Sequence, residues 1–247
     1  MAKLIVVDDD LEFASSAGDI FGEEGHEAII LDDPAKALDL MRERRPDLVL
    51  MDIKMPGMDG VTAYSHMKSL YPDLPVILVT AYPEAELVLT ALHQGAFGCF
   101  EKPLDLDRLL CAIDDAMASD ARIMVVDDDM DFCESMRDVL GEKGYRVTTA
   151  YHQDVALKEL RYRNFDLVIL DMKLGLSDGW KAYRAMREIR PSVPVVAVTG
   201  YPDEVGHLAQ RVTERENRAW MRKPLDLSAI FMMLEKVRKE DRGRESR

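Results

Sequence analysis

Ile5-Val6-Val7-Asp8-Asp9-Asp10 returns further along the chain as Met124-Val125-Val126-Asp127-Asp128-Asp129, an offset of 119 residues. The same offset carries Asp47-Leu48-Val49 to Asp166-Leu167-Val168, Asp52 to Asp171, Asp59-Gly60 to Asp178-Gly179 and Pro72 to Pro191. It also carries Val79-Thr80 to Val198-Thr199 and Tyr82-Pro83 to Tyr201-Pro202. The register then slips by two residues, because Lys102-Pro103-Leu104 matches Lys223-Pro224-Leu225 at an offset of 121. Two copies of one domain account for nearly all 247 residues: the first over 1–119, the second over 120–240, and a charged tail over 241–247. A solenoid is excluded, since its repeats run to about 20–50 residues and each copy here is long enough to bury a core of its own.

Within one copy, short β-branched apolar runs alternate with longer amphipathic segments. Leu4–Val7, Ala28–Leu31, Leu48–Met51 and Val76–Val79 read as buried strands, with a weaker fifth near Cys99 and Phe100. Phe13, Ala17, Ile20 and Phe21 fall on one helical face, as do their counterparts Phe132, Met136, Val139 and Leu140. Continuously apolar strands separated by amphipathic helices predict an α/β architecture: two tandem, doubly wound, five-stranded parallel sheets with helices on both faces. In such sheets reactive groups gather beyond the carboxyl ends of the strands.

That rule sorts the polar residues. Asp8 and Asp9 end the first strand, Asp52 the third, Thr80 the fourth and Lys102 the fifth, and the second copy repeats them as Asp127, Asp128, Asp171, Thr199 and Lys223. One strand-end aspartate is most often a helix cap or turn residue. Three carboxylates, a hydroxyl and an ammonium at the same ends of different strands, and then repeated, point instead to a shared crevice. Carboxylates crowded beside one lysine repel each other unless a cation joins them, and hard oxygen donors suit Mg²⁺. Asp9 and Asp52 are the expected direct ligands, with Asp8 holding a metal-bound water. A free oxygen of Asp52 can then attack a phosphoryl group in line, while Lys102 and Thr80 neutralise the equatorial oxygens.

Both halves resemble receiver domains of two-component response regulators. The first half carries the pattern in Val6-Val7-Asp8-Asp9, Met51-Asp52-Ile53-Lys54-Met55-Pro56-Gly57-Met58-Asp59-Gly60, Thr80-Ala81 and Lys102-Pro103. The second carries it in Val125-Val126-Asp127-Asp128, Leu170-Asp171, Asp178-Gly179, Thr199-Gly200 and Lys223-Pro224. The resemblance implies the flavodoxin-like receiver fold, phosphoacceptors at Asp52 and Asp171, and Mg²⁺ as cofactor. It adds a metal ligand from the backbone carbonyls of Lys54 and Lys173, and cis peptides before Pro103 and Pro224. It also implies a histidine kinase or histidine phosphotransfer protein as phosphodonor and a downstream protein target.

Departures from the family pattern qualify this. Three residues before the lysine, where the family has Tyr or Phe, stand Cys99 in the first copy and Trp220 in the second. Gly175 replaces the counterpart of Pro56, and Glu204 to Arg218 is longer and more charged than its equivalent. The loop after Asp171 and the fourth helix of the second copy are therefore expected to differ in shape, and Asp52 ranks ahead of Asp171 as a phosphoacceptor. Two alternatives stay open: one copy, the second before the first, serves as a non-phosphorylated docking scaffold, or the chain is a Mg²⁺-dependent aspartyl-phosphate phosphohydrolase. Enzymes of the haloacid dehalogenase type place their nucleophile in an Asp-x-Asp on the first strand, whereas here the lone aspartate of the third strand has that role. Lys54 and Tyr82 would flank the path of a hydrolytic water. Arg184, Arg187 and Arg190, like Arg211, Arg215, Arg218 and Arg222, are spaced as solvated helix stripes.

Composition narrows the function class. The net charge of −14 disfavours long-range attraction to nucleic acid or anionic lipid. Residues 1–119 hold 9 Lys+Arg against 23 Asp+Glu and residues 120–247 hold 23 of each, so the excess acid lies in the first half. No apolar run approaches the ~18 residues of a membrane span. Three cysteines without a CxxC pair argue against a disulfide framework or structural zinc, and the acid after Val7 interrupts any export signal, so a cytoplasmic setting is expected. The five histidines have no metal-ligand spacing. With two domains subtracted, no segment is left for direct DNA binding or for an enzymatic output. The expectation is a non-enzymatic signalling protein working through protein contacts, with homodimerisation left open.

Overall fold

The structure, a computed structural model, describes residues 1–81, 85–118, 120–175, 177–200 and 220–234, except for the side chains of Ala85, Ser177 and Asp178. Tyr82, Tyr201, the Glu204 to Arg218 segment with its arginines, His207 and the tail at 241–247 lie outside the described residues. The chain divides into two compact units, Met1–Ala118 with Arg161–Arg163, and Ser119–Leu160 with Asn164–Arg247.

The first unit runs β1 (Lys3–Val7), α1 (Leu11–Glu23), β2 (Glu27–Leu31), α2 (Pro34–Glu43), β3 (Leu48–Asp52), α3 (Gly60–Leu70), β4 (Val76–Thr80), α4 (Ala85–His93), β5 (Gly98–Glu101) and α5 (Leu106–Met117). All strand pairings are parallel, in the order β2-β1-β3-β4-β5. β3 and β4 are buried along their whole length, as a sheet covered on both faces demands. One face packs Leu4, Val6, Leu48, Leu50, Ile77 and Val79 with Ala14, Ala17 and Phe21 of α1 and Leu109, Ala112 and Ile113 of α5.

The second unit repeats this with β6 (Arg122–Val126), α6 (Met130–Gly141), β7 (Arg146–Ala150), α7 (Gln153–Tyr162), β8 (Leu167–Asp171), β9 (Lys173–Leu174), β10 (Ser177–Asp178), α8 (Gly179–Ile189), β11 (Val195–Thr199) and β12 (Trp220–Arg222). Its five-stranded parallel sheet has the order β7-β6-β8-β11-β12, and residues 227–234 are helical. β9 and β10 form an antiparallel pair that the first unit lacks among its described residues. Gly175, with φ +54°, supplies the turn, so the loop after Asp171 is indeed shaped differently.

Several repeated residues turn out to hold the frame. Asp47 and Asp166 accept the N–H of Lys3 and Arg122 at 2.7 and 2.6 Å, tying each third strand to its first. The Lys68 ammonium donates to the Pro72 carbonyl and the Arg187 guanidinium to the Pro191 carbonyl, which closes the carboxyl ends of α3 and α8 with a cation. The expectation of exposed helical arginine stripes fails at Arg222, which lies in β12, and at Arg190, which is buried and donates from Nε to the Leu160 carbonyl at 3.0 Å. Arg187 lies over the Tyr183 ring at 5.3 Å. A spacing of three places side chains near one face but does not say that the helix ends at Ile189, which turns the next residue inward. All three cysteines are free, Cys99 and Cys133 buried and Cys111 exposed. Among the described residues no helix is long and apolar enough to cross a membrane.

Gly60 and Gly179 open α3 and α8 hard against the preceding strand. A Cβ on Gly60 would stand 2.2 Å from the Asp52 carbonyl oxygen, and one on Gly179 would stand 2.4 Å from the Met172 Cα. Backbone atoms cannot yield as a flexible side chain does. Gly60→Ala should therefore destabilise the protein by about 1–3 kcal/mol. Gly22→Ala, in α1 with open space around it, should be neutral or stabilising by up to about 1 kcal/mol. Urea unfolding of the two variants beside wild type checks the contrast, and equal midpoints would contradict the close approach.

Candidate functional site

The chain leaves β1 toward β2 on one side and reaches β3 on the other, so the carboxyl ends of β1 and β3 flank the switch point where such sheets open a crevice. Asp8 directly follows β1 and Asp52 ends β3; they are 2% and 5% exposed. Thr80 ends β4 and is buried. Lys102 follows β5, with its N–H donating to the Thr80 carbonyl at 2.8 Å and a cis peptide to Pro103 beyond it. Its ammonium reaches Asp8 Oδ2 at 2.6 Å and Asp52 Oδ1 at 3.1 Å. The Lys54 N–H donates to the other Asp52 oxygen, Oδ2, at 2.7 Å, while the Lys54 side chain is exposed. Asp9 is exposed.

The second unit repeats the arrangement. Asp127 and Asp171 are buried at the ends of β6 and β8, and Thr199 is buried at the end of β11. Lys223 donates its N–H to the Thr199 carbonyl at 3.0 Å and precedes a cis peptide to Pro224. Its ammonium stands 2.6 Å from Asp127 Oδ2 but 3.8 Å from Asp171 Oδ1. Asp128 is exposed, and one oxygen each of Asp127, Asp128 and Asp171 lie within 4.8 Å of one another. Among the described residues this is the group of acids close enough to share an ion. The first unit, ranked ahead on sequence, spreads Asp8, Asp9 and Asp52 wider.

The run of three aspartates divides its labour. Asp10 and Asp129 are N-caps: Asp10 accepts from the N–H groups of Glu12 and Phe13, both at 3.1 Å, and Asp129 from that of Phe132 at 3.0 Å. Their own N–H groups donate back to Asp8 Oδ1 and Asp127 Oδ1 at 3.0 and 3.1 Å, fixing the buried carboxylates. The cap role open to any strand-end aspartate thus falls to the third member of the run. Sequence reasoning also treated Phe13 and Phe132 as core positions only, although both stand beside the lysines. Their place in the first helical turn after the acids was the available signal.

Electrostatics follow from burial. Removal from water pushes the Asp8 and Asp127 carboxyls up, outweighing the hydrogen bonds from Lys102 and Lys223 that lower them. Burial works against the Lys102 ammonium, yet its hydrogen bonds to Asp8 and Asp52 hold it above its ordinary value. Asp171 is pushed up to about 6, first by burial and then by the charge of Asp127. Acids forced together in this way are a donor set that a divalent cation relieves. The oxygen-only chemistry of Asp127, Asp128 and Asp171, and of Asp8, Asp9 and Asp52, fits Mg²⁺. The same groups place an aspartate oxygen beside an ammonium, part of the complement that a trigonal phosphoryl group needs.

Comparison with known proteins identifies the family. The description of the response regulator receiver domain matches the chain twice, over residues 4–114 and 123–235. Sporulation initiation phosphotransferase F of Bacillus subtilis (strain 168) is 35% identical over 111 residues, 45% of this chain and 90% of that protein. Response regulator receiver protein Anae109_2439 of Anaeromyxobacter sp. (strain Fw109-5) is 26% identical over 241 residues, 97% of each. Regulatory protein AtoC of Escherichia coli (strain K12) is 41% identical over 107 residues, 43% of this chain but only 23% of AtoC. A solved structure of the beryllofluoride-activated NtrC4 receiver domain dimer is 30% identical, covering 47% of this chain and 97% of that one at a TM-score of 0.46. With both halves matched in order, the chain belongs to the response regulator receiver family and comprises tandem receiver domains of a two-component response regulator.

Proposed function

We propose that Asp52 and Asp171 each accept a phosphoryl group from the phosphohistidine of a histidine kinase or histidine phosphotransfer protein, and that the modified domains signal by altered contacts with a protein target. The observation that carries this reading is the ammonium of Lys102 held 2.6 and 3.1 Å from Asp8 and Asp52, with its counterpart in the second unit. An Asp52 oxygen attacks phosphorus as the bond to the donor's imidazole nitrogen breaks, and the nitrogen keeps the electron pair. Lys102 and the Thr80 hydroxyl then face the phosphoryl oxygens of the acyl phosphate. Mg²⁺, held by Asp8, Asp9, Asp52 and the Lys54 carbonyl, or by Asp127, Asp128, Asp171 and the Lys173 carbonyl, would supply further neutralisation of the same oxygens. The protein turns over no external substrate in this reading, resides in the cytoplasm and does not bind DNA directly. Treating the second domain as a scaffold alone is disfavoured by the close approach of Asp127, Asp128 and Asp171.

Incubation with acetyl phosphate and Mg²⁺, followed by intact mass, tests the assignment. Wild type should show two phosphoryl adducts, Asp52→Asn and Asp171→Asn one each, and the double variant none. Loss of all adducts in Asp52→Asn alone would return the second domain to scaffold status, and multiple turnover of varied phosphate esters would favour the phosphohydrolase.

A pH dependence follows from Asp171. Its carboxyl lies at about 6 in the folded, metal-free protein against an ordinary value of 3.8, so the folded state binds the proton more tightly than the unfolded chain. The associated stability is fully present below the ordinary value and is lost as pH rises through the folded one. In chelator-treated protein, Asp171→Asn should be more stable than wild type by on the order of 1–3 kcal/mol at pH 7.5, and the gap should close toward about pH 4. Addition of Mg²⁺ should release protons most strongly near the folded value. Trp180 and Trp220 are the only tryptophans and both lie in the second domain, so tryptophan fluorescence follows that domain's unfolding. A difference independent of pH would contradict the assignment.

A further inference from the structure

Each lysine ammonium leans on a phenylalanine. Lys102 Nζ lies 4.1 Å from the centroid of the Phe13 ring in α1, and Lys223 Nζ lies 4.4 Å from that of Phe132 in α6. The two rings occupy the same slot, the third residue of the first helix in each unit, and the capping aspartates Asp10 and Asp129 fix their backbones through the N–H groups. Both rings are half-buried against the core. The lysine side chains are only 18% and 24% exposed.

We propose that Phe13 and Phe132 are positioning residues, whose ring faces hold the ammonium at the acid pair while leaving its N–H groups free to turn toward a phosphoryl oxygen. The proposal rests on the reading of Asp52 and Asp171 as phosphoacceptors. An ammonium has three N–H donors and no acceptor, and in the first unit two directions go to Asp8 and Asp52. A third carboxylate would hold the cation strongly, but it would claim the donor that the incoming oxygen needs. An aliphatic side chain would strip water from the cation and return nothing. An aromatic face attracts the charge through its quadrupole without demanding a particular N–H direction. The cation can therefore rotate from Asp52 to a phosphoryl oxygen without leaving the ring, and the arrangement is repeated in the second unit at Lys223 and Phe132.

The test uses the full chain in an Asp171→Asn background, so that only the first domain is modified, and compares Phe13, Phe13→Leu and Phe13→Tyr. In protein labelled with ¹³C-lysine and free of metal and phosphodonor, the Lys102 ε-methylene, assigned by its disappearance in Lys102→Arg, should show an upfield ring-current shift. That shift should persist in Phe13→Tyr and vanish in Phe13→Leu. The initial rate of acetyl phosphate-driven modification should fall about three- to tenfold in Phe13→Leu and stay within about twofold in Phe13→Tyr, with urea midpoints measured to separate loss of packing. An unshifted ε-methylene in the unsubstituted protein overturns the proposal without any variant having to fold. Equal rates for Leu and Phe at position 13 overturn it while Asp52 keeps its role. Failure of the protein carrying Phe13 to form any adduct, with the ring-current shift present, overturns the phosphoacceptor reading and the positioning role with it.

Discussion

A lysine ammonium pinned between two buried aspartates is the interaction on which each domain turns. Parallel strands that end together at a switch point bring their terminal acids together whether or not repulsion favours it. Asp8 and Asp52 are buried there, and buried like charges are tolerated only with a counter-charge nearby. Lys102 supplies it from the far side of the sheet, held by the pairing of its own N–H with Thr80. Without the lysine the two carboxylates would be left uncompensated, which costs about 3–5 kcal/mol in comparable buried pairs. The cluster is thus a structural liability that becomes useful, because groups arranged to offset one another's charge are also arranged to receive a charged ligand.

The capping aspartates and the tight glycines belong to the same construction. Asp10 starts α1 and, through its own N–H, steadies Asp8. Gly60 brings the start of α3 within reach of the Asp52 backbone, a distance that no side chain at that position would allow. The buried carboxylates of Asp8 and Asp52 are therefore each fixed by a main-chain N–H.

Much of this was legible in the sequence because it depends on periodicity. The duplicated Val-Val-Asp-Asp and the continuously apolar runs fix strand identity, and Asp52, Thr80 and Lys102 follow from their place at strand ends. The boundaries were legible less well: β3 and β4 each extend one residue further, to include Asp52 and Thr80 themselves. What could not be read depends on three-dimensional register. The sequence does not distinguish the acid that caps a helix from the two that enter the site, and it does not show Arg190 turning inward after the helix has ended. Nor does it reveal that Lys223 sits 3.8 Å from Asp171 where Lys102 sits 3.1 Å from Asp52, a difference that leaves Asp171 less neutralised than its counterpart.

The edge strands carry the deepest asymmetry. Where β5 presents Cys99, a small thiol only 7% exposed, β12 presents Trp220, an indole 44% exposed. The rim of the second sheet thus carries a broad aromatic plate where the rim of the first, at the same position, carries none. The two halves, alike in the acids and lysine of their crevices, are told apart at this rim by what they show to solvent.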